Sequence, residues 1–557
     1  MNNKKYLILS AMLIWTINLC FVFYYYMQKD GFHVDEMWSY AHANSSQTAY
    51  LHPDIDSYWH ENDILKLYNQ WLDGKVFHDY LTVQPKEQFS YGHIKDNLQV
   101  VEHPPLYFVI LHTVCSFFPE KFNKWYGFGL NVAIYMLVLI MMYKLSMIIL
   151  KDKVNALLPV VFYAFSEAGF ATVLFIRMYA LQTLFATCLI YETVKLIKQN
   201  KANNWQMLRI LLYSLLGMLT QYSSIVFSFI LASIVCFILL QRKNYRLLIK
   251  YAMSMLISVI LLFIIFPTAY SILLYSYRGN NVLQSLNSIQ ISSQAASNYG
   301  VIYYLWRAEI FFHSLLNVYF SQFFSFENFP DTLWVLLILT CCIFVLTYKK
   351  RETATNVLFL VSLIMGLFLR KFMPQMQDFG LRYYMLIMPM VSILTIYGFN
   401  VLMQKCHISS KLANVIIILV IITNAIHTDF GHRSAFRFIY GNTSKRLAAD
   451  IKDKDIIIYI EPKHFIYSLA PLLKDSHRFY YSKKSCTTEA IKNVINASET
   501  YILYERKYEA SRNNELPQTR QILCKKLDDM LDFKYTARSG EKSYDVYKLK
   551  QEYPNHH

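Results

Sequence analysis

The chain contains 557 residues, of which 55% are hydrophobic and 17% are charged, and its mean hydropathy is +0.25. This apolar content exceeds what the core of one soluble domain needs, so the composition excludes an ordinary soluble protein and predicts a polytopic α-helical membrane protein. The net charge of +16 does not indicate a nucleic-acid partner, because Lys and Arg lie mostly in short connections between apolar runs. There they set the topology, and acidic membrane lipids are their expected partners.

The first apolar run, Tyr6 to Met27, follows Lys4 and Lys5. Its length and its lack of a small-residue cleavage site predict an uncleaved membrane span, and the two lysines place its start on the cytoplasmic side. The span therefore delivers the next segment to the outer face of the membrane. That segment is a long loop, 28–125, and loops of such length are usually functional.

The first outer loop begins with FHVDEMWSYAHA, 32–43, in which Asp35 and Glu36 are adjacent. A carboxylate pair at the membrane boundary is costly unless it binds something, because the acids repel each other and are partly desolvated. Both are candidate catalytic residues, although a plain solvated loop after a signal anchor can contain such a pair. Further along the loop, DILKLYNQWL, 63–72, has the apolar spacing of an amphipathic helix that lies on the membrane.

The same loop contains VEHPPLYF, 101–108, where Glu102 and His103 precede two prolines that fix the backbone at a helix start. The apolar run from Pro104 to Pro119 is too short to cross a bilayer at about 1.5 Å per residue. It predicts a re-entrant or interfacial helix that presents the two polar side chains at the membrane surface. The alternative is that His103 is only a hydrogen-bonded helix-start residue and that Glu102 only favours the positive end of the helix.

The remaining apolar runs raise the predicted number of transmembrane helices to about eleven, with the basic connections inside and the C-terminus outside. These further spans cover 126–149, 154–175, 178–197, 205–223, 225–241, 247–267, 331–348, 354–370, 382–403 and 412–428. A second outer loop, 268–331, is polar and then amphipathic, and His313 in its amphipathic part is a candidate contact for a metal or a phosphate. Residues 1–428 are thus predicted to form one transmembrane domain.

The C-terminal region, 429–557, has the pattern of a small extracytoplasmic α/β domain. Four segments have strand character: Ile456 to Ile460, Arg478 to Tyr481, Tyr501 to Glu505 and Asp545 to Leu549. No glycine-rich phosphate-binding motif follows a strand, so no nucleotide site is predicted. Cys486 and Cys524 could pair if this region is extracytoplasmic.

Two further polar sets map to the outer face. IRMYALQ, 176–182, supplies Arg177 and Tyr179 at a turn between two spans, and QDFGLRYYMLIMP, 377–389, supplies Arg382 and Tyr383. An Arg is well suited to holding a phosphate at two points, although an interface anchor that snorkels towards water is an equally good interpretation. All the polar sets fall on one face of the membrane at one depth.

Three motifs in this order, FHVDEMWSY, EHPPLYF and RMYAL, resemble the GT-C membrane glycosyltransferases of the family 39 and PMT_2 group. RYYMLIMP is similar to a late helix of the same group, and the resemblance covers roughly Tyr6 to Arg382. It implies a GT-C fold and transfer of a sugar from a polyprenyl-phosphate donor to an acceptor on the extracytoplasmic side. The acceptor class stays open between a glycan, a lipid and a protein.

The resemblance also implies roles for individual residues. Asp35 matches the general base that deprotonates the acceptor hydroxyl, and Glu36 would support it or help to bind the acceptor. Glu102 matches an acid that helps some relatives hold a divalent metal, whereas His103 stands where some relatives have Lys. Arg177 would face the donor phosphate.

Tyr179 would line that pocket. The candidate residues for binding the donor phosphate or the substrate are thus Glu102, His103, Arg177, Tyr179, Arg382 and Tyr383. Glu102 and His313 are the candidate ligands of a divalent metal ion. A single direct displacement would invert the anomeric centre.

Other functions of a membrane protein stay open. A lipid-linked sugar flippase, polymerase or transporter would also have many spans and outer polar clusters, but the sequence has no internal repeat and its acids lie at the outer edge. A non-catalytic scaffold is disfavoured by the costly acidic loop. The chain is expected in a bacterial plasma membrane, with the active site and the C-terminus outside.

Overall fold

The computed structural model describes residues 2–46, 70–101, 103–275, 352–372, 381–430, 438, 442–459, 466–482, 500–505, 531–539 and 542–549. The chain divides into two compact units. The first, the helical unit, consists of Met1–Phe23, Glu102–Tyr107 and Phe128–Ala435. The second, the α/β unit, consists of Tyr24–Val101, Phe108–Gly127 and Phe436–His557.

Most of the described chain before residue 431 is helical. In chain order the helices are α1 (Asn2–Gln28), α2 (Val34–Asn44), α3 (Lys75–Leu81), α4 (Gly92–Val101), α5 (Leu106–Ser116), α6 (Lys124–Leu150), α7 (Lys153–Ala164), α8 (Glu167–Leu174), α9 (Tyr179–Gln199), α10 (Asn204–Met218), α11 (Ser223–Gln241), α12 (Tyr245–Ile265), α13 (Thr268–Tyr275), α14 (Thr353–Phe372), α15 (Leu381–Tyr384), α16 (Met388–Lys405) and α17 (Ser410–Phe430). Within the described residues, α6, α9, α11 and α12 are each long and apolar enough to cross a membrane. The chain is therefore a multi-pass membrane protein.

The predicted span 154–175 is instead a broken helix: α7 and α8 are bent by 62°. Ser166 lies at the break. Its hydroxyl accepts from the Gly169 N–H at 3.3 Å and so caps the start of α8, and it donates to the Tyr163 carbonyl of α7 at 2.8 Å. The Asn18 side-chain amide donates to the Ala164 carbonyl at 2.7 Å. The carbonyl freed at the break is thus satisfied by a side chain, as a low-dielectric setting requires.

The other predicted spans agree with the structure to different degrees. Those at 126–149, 178–197, 225–241 and 247–267 correspond to α6, α9, α11 and α12. The span predicted at 205–223 is the shorter α10, and 382–403 is divided into α15 and α16. The span predicted at 331–348 lies outside the described residues, so the total of eleven stays a prediction. The run from Pro104 to Pro119 contains the 11-residue α5, as its short length predicted.

The α/β unit contains a six-stranded sheet of order β1-β3-β2-β4-β6-β5. Its strands are β1 (Trp71–Asp73), β2 (Asp455–Tyr459), β3 (Arg478–Ser482), β4 (Thr500–Glu505), β5 (Leu531–Ser539) and β6 (Lys542–Leu549), and the helices among them are α18 (Asn442–Ile451) and α19 (Ile466–Leu473). β2 runs parallel to β3 and β4, whereas β1, β5 and β6 pair antiparallel with their neighbours. The four predicted strands are present, and β5 was not predicted.

Strand β1 comes from the first loop and not from the C-terminal region. Trp71 lies opposite Tyr480 and Leu72 opposite Phe479 in the antiparallel β1–β3 pair. The helix predicted at 63–72 is therefore wrong at Trp71 and Leu72, because tertiary pairing overrides the local helical spacing. Residues 63–69 lie outside the described part of the chain. The boundary predicted between 428 and 429 stays a prediction, but the compact unit that holds the C-terminal sheet also includes 24–101 and 108–127.

Gly74 allows this pairing between the loop and the sheet. A Cβ atom at Gly74 would lie 2.2 Å from the Ser476 carbonyl oxygen and 2.6 Å from that of Leu473, and the Gly74 N–H donates to the His477 carbonyl. Only a residue without a side chain lets the two backbones approach so closely. The loop segment and the turn before β3 are therefore joined backbone to backbone.

We expect Gly74→Ala to lower the free energy of unfolding by about 1–3 kcal/mol, because the added methyl group must push two backbones apart. Gly92→Ala is the matched control, since nothing lies within 4 Å of a Cβ atom there. Thermal unfolding of the purified protein in detergent measures both variants. Equal midpoints for Gly74→Ala and Gly92→Ala would contradict the close packing of loop and sheet.

Candidate active site

The segment between α1 and α2 in the α/β unit is fixed by hydrogen bonds. The backbone N–H groups of Asp30 and Gly31 donate to the Phe438 carbonyl at 3.1 and 3.3 Å. The Lys124 ammonium donates to the carbonyls of Lys29 and Tyr26 at 2.6 and 3.2 Å. The direction in which the chain enters α2 is therefore set by backbone contacts.

Helix α2 begins with a capping box. The Nδ1 of His33 accepts from the Asp35 N–H at 3.0 Å, and the Oε2 of Glu36 accepts from the His33 N–H at 2.9 Å. Two helix-start donors are thereby satisfied, and both acids lie where the helix dipole favours negative charge. Since Nδ1 accepts that bond it carries no proton, so the 3.8 Å between it and Asp35 Oδ2 is not an ion pair.

A buried ion pair holds the capping box. The Lys29 ammonium lies 2.5 Å from Glu36 Oε1, and neither side chain is exposed. The ammonium also lies 5.4 Å from the ring centre of Phe32 and 5.5 Å from that of Phe438. Burial lowers the pKa of Lys29, and the neighbouring Glu36 opposes that shift.

These contacts change the interpretation of Glu36. Its carboxylate is fully buried, with one oxygen on Lys29 and the other on the backbone of His33. Because it is buried, Glu36 is not accessible to a ligand in this structure, and it fixes the His33 backbone two residues before Asp35. The Asp35 carboxylate itself is 15% exposed.

The helical unit holds a second polar group. Arg177 Nη2 donates to His103 Nε2 at 2.9 Å, and both side chains are buried. Because a guanidinium can only donate, His103 must accept, which requires a neutral imidazole with its proton on Nδ1. His103 is fixed by Pro104, Pro105 and the bond from the Leu106 N–H to the Leu219 carbonyl at 2.9 Å.

The backbone around Arg177 is equally constrained. Its N–H donates to the Phe175 carbonyl at 2.8 Å, and the Asn131 side-chain amide donates to the same carbonyl at 2.7 Å. The turn between α8 and α9 is therefore tied to α6. The guanidinium is placed by the fold and is not a flexible interface anchor.

Next along the helical unit, Tyr179 packs edge-on against Tyr383 with ring centres 6.0 Å apart. Arg382 Nη2 donates to the Tyr383 hydroxyl at 3.2 Å, and its guanidinium lies 5.0 Å from the ring centre of Tyr383. The structure thus brings Tyr179, Arg382 and Tyr383 together in one cluster and His103 and Arg177 together in another. Guanidinium and phenol groups in such clusters are suited to binding an anion.

Two predicted site residues lie outside the described residues, namely Glu102 and His313, as do Cys486 and Cys524. The described residues contain no group of three or more His, Cys, Asp or Glu side chains that could hold a metal ion. The predicted metal site therefore stays a prediction, and no step below depends on it.

Sequence analysis assigned no role to Lys29 or to Trp38. Lys29 closely follows the first apolar span, where a lysine is not unusual in sequence. The signal for its role is the capping pattern at His33 and Glu36, which places a carboxylate near the end of the span. Trp38 lies one turn after Asp35, and that spacing is visible in the sequence.

No protein-family model matches the chain, and no curated protein matches it. Among solved structures, the chain is similar to ArnT from Cupriavidus metallidurans in the apo state, with 10% identity and a TM-score of 0.46 over 86% of this chain and 93% of that one. It is also similar to the archaeal oligosaccharyltransferase AglB from Archaeoglobus fulgidus in complex with an inhibitory peptide and a dolichol-phosphate, with 10% identity and a TM-score of 0.41 over 87% of this chain and 69% of that one. Because both scores lie below 0.5, neither similarity assigns an activity to this chain.

We expect Lys29→Met to lower the free energy of unfolding by about 3 kcal/mol or more, because it leaves Glu36 buried without its cation. In Lys29→Met/Glu36→Gln the neutral amide still accepts from the His33 N–H, so this double variant should recover most of the loss. Thermal unfolding in detergent measures all variants.

Lys151→Met is the matched control for this prediction, since Lys151 pairs with Glu352 and both side chains are largely exposed. Lys151→Met should lower the free energy of unfolding by less than about 1 kcal/mol. If the double variant is less stable than Lys29→Met alone, the buried pair does not act as described.

Proposed function

We propose that this protein is a membrane glycosyltransferase that moves a sugar from a polyprenyl-phosphate donor to an acceptor hydroxyl on the extracytoplasmic face. The observation that carries the proposal is the placement of Asp35. Its carboxylate is partly exposed although its neighbours at the start of α2 are buried, and the capping box holds this helix start shortly after the apolar helix α1. The motif resemblance, which covers the same residues, supports this assignment.

Asp35 is the proposed general base. Its carboxylate takes the proton of the acceptor hydroxyl while that oxygen attacks the anomeric carbon of the donor sugar. The bond from the anomeric carbon to the phosphate oxygen breaks, and its electron pair leaves with the polyprenyl phosphate. A single displacement of this kind inverts the anomeric centre.

Lys29, His33 and Glu36 are proposed to position that base. Glu36 fixes the His33 backbone, and the His33 ring in turn holds the Asp35 N–H. Because the side chains of Lys29 and Glu36 are fully buried, this support is rigid and needs no substrate to form. A general base must be placed within hydrogen-bond distance of the proton it removes, so this rigidity serves catalysis.

The leaving phosphate needs cationic hydrogen-bond donors, and Arg177 and Arg382 are proposed to supply them. His103 holds the Arg177 guanidinium through a neutral acceptor, and Tyr383 does the same for Arg382 through its hydroxyl. Tyr179 packs against Tyr383 and lines the proposed donor site. A divalent metal remains a candidate cofactor, with Glu102 and His313 as its proposed ligands.

We expect Asp35→Asn to abolish transfer while leaving the thermal midpoint nearly unchanged, because the amide keeps the shape of the side chain but cannot take a proton. The measurement is consumption of a panel of radiolabelled polyprenyl-phosphate sugars by membranes that contain the native protein or the variant, with and without a chelator. Asp96→Asn, an exposed acid on α4, is the matched control and should retain full activity.

Full turnover by Asp35→Asn would eliminate the base assignment. If the donor instead changes leaflet and keeps its sugar, the protein is a transporter. The chelator arm separately decides whether a metal takes part.

We expect Arg177→Lys to lower kcat/KM for the donor by roughly tenfold to a hundredfold, because an ammonium cannot reproduce the two-point contact of a guanidinium. Arg209→Lys is the matched control, since Arg209 pairs with Glu192 on α9 at 2.6 Å and has no proposed contact with substrate. Initial rates at varied donor concentration measure both. Equal kcat/KM for the two variants would remove Arg177 from the donor site.

A further inference from the structure

Two side chains on α2 reach the surface. Nine of its eleven residues are buried, and the two that are not are Asp35 and Trp38. Residues three positions apart lie on the same face of a helix, one turn from each other. The proposed base and a partly exposed indole are therefore neighbours on one helix face.

The Trp38 indole is held in place by its neighbours. The His42 ring stacks against it at 23° with ring centres 6.3 Å apart, and the Tyr467 ring lies 5.7 Å from it. Tyr467 is itself buried and packs against Tyr80 with ring centres 5.8 Å apart. An indole supported in this way loses little conformational entropy when a ligand binds to it.

A rigid indole beside a carboxylate suits a neutral saccharide. One face of a sugar ring is made of C–H groups that pack on an aromatic ring, and its hydroxyls donate to a carboxylate. An anionic ligand such as the donor phosphate would be repelled by Asp35 at this position. The surface therefore fits the acceptor and not the phosphate of the donor.

We propose that Trp38 is an acceptor-binding residue and that the acceptor is a saccharide whose ring packs on the indole and presents a hydroxyl to Asp35. This rests on the proposed function and narrows it, because a glycan, a lipid and a protein were all open as acceptors. It also gives α19, which carries Tyr467, a part in the site: the C-terminal region supports the acceptor surface.

The test compares Trp38→Ala and Trp38→Phe with the native protein in transfer from the preferred polyprenyl-phosphate sugar. The acceptor probes are methyl β-glucoside, methyl β-galactoside and methyl β-N-acetylglucosaminide, with 1-octanol and a threonine-containing tripeptide for comparison. Hydrolysis of the donor by water gives a rate that needs no acceptor site. Trp205→Ala is the matched control, because Trp205 is 70% exposed at the start of α10 and has no proposed role.

We expect Trp38→Ala to raise KM for the best methyl glycoside by roughly tenfold, while Trp38→Phe raises it by no more than about threefold and Trp205→Ala leaves it unchanged. In Trp205→Ala, hydrolysis of the donor by water should also match the native rate. Asp35→Asn differs, because it should lower kcat with every acceptor.

An unchanged KM in Trp38→Ala, or a native preference for octanol or the tripeptide, would overturn the saccharide proposal and leave the transferase proposal standing. If the native protein consumes no donor, the proposed function fails, and saturation-transfer NMR with the same methyl glycosides then decides the binding site alone. Binding that is lost in Trp38→Ala supports a saccharide site, and binding that is absent from the native protein overturns it.

Discussion

The pairing of Lys29 with Glu36 determines the geometry of the proposed acceptor side. Removing two charges from water costs several kcal/mol per ion, and the pair is tolerated only because each group is compensated. Glu36 accepts from both Lys29 and the His33 backbone, and the Lys29 ammonium lies over aromatic rings. These contacts hold the helix start from which the Asp35 side chain projects.

The C-terminal region extends this constraint. Strand β1 of the first loop pairs with β3, Phe77 of α3 packs on Phe479 with ring centres 5.0 Å apart, and Tyr467 of α19 contacts Trp38. Residues far apart in sequence therefore build one core around α2. The C-terminal region, whose sequence has the pattern of a separate domain, therefore supports α2, the helix that carries the proposed base.

Local patterns predicted much of this fold. Span positions such as 126–149 and 247–267 follow from apolar length, and strands such as Asp455–Tyr459 follow from a run of β-branched residues, so both could be predicted from short windows. The break at Ser166 was missed because its hydroxyl acts through backbone groups of the folded helix pair. The β1 strand and the Lys29–Glu36 pair were missed because each depends on a partner that only the folded chain brings close.

The proposed donor side of the site depends on the group that holds the Arg177 guanidinium. Glu192 neutralises Arg209 with a carboxylate, whereas the bond between Arg177 and His103 requires a neutral imidazole. That bond orients the guanidinium without cancelling any of its charge, because imidazole contributes only a lone pair. A phosphate that gains charge as its bond to the sugar breaks is stabilised by a cation that is already oriented and needs no reorganisation. Some members of the family that the motifs resemble have Lys where this chain has His103. His103 is nevertheless compatible with the proposed donor binding: the site has one cation fewer, but the orientation of the Arg177 guanidinium is fixed.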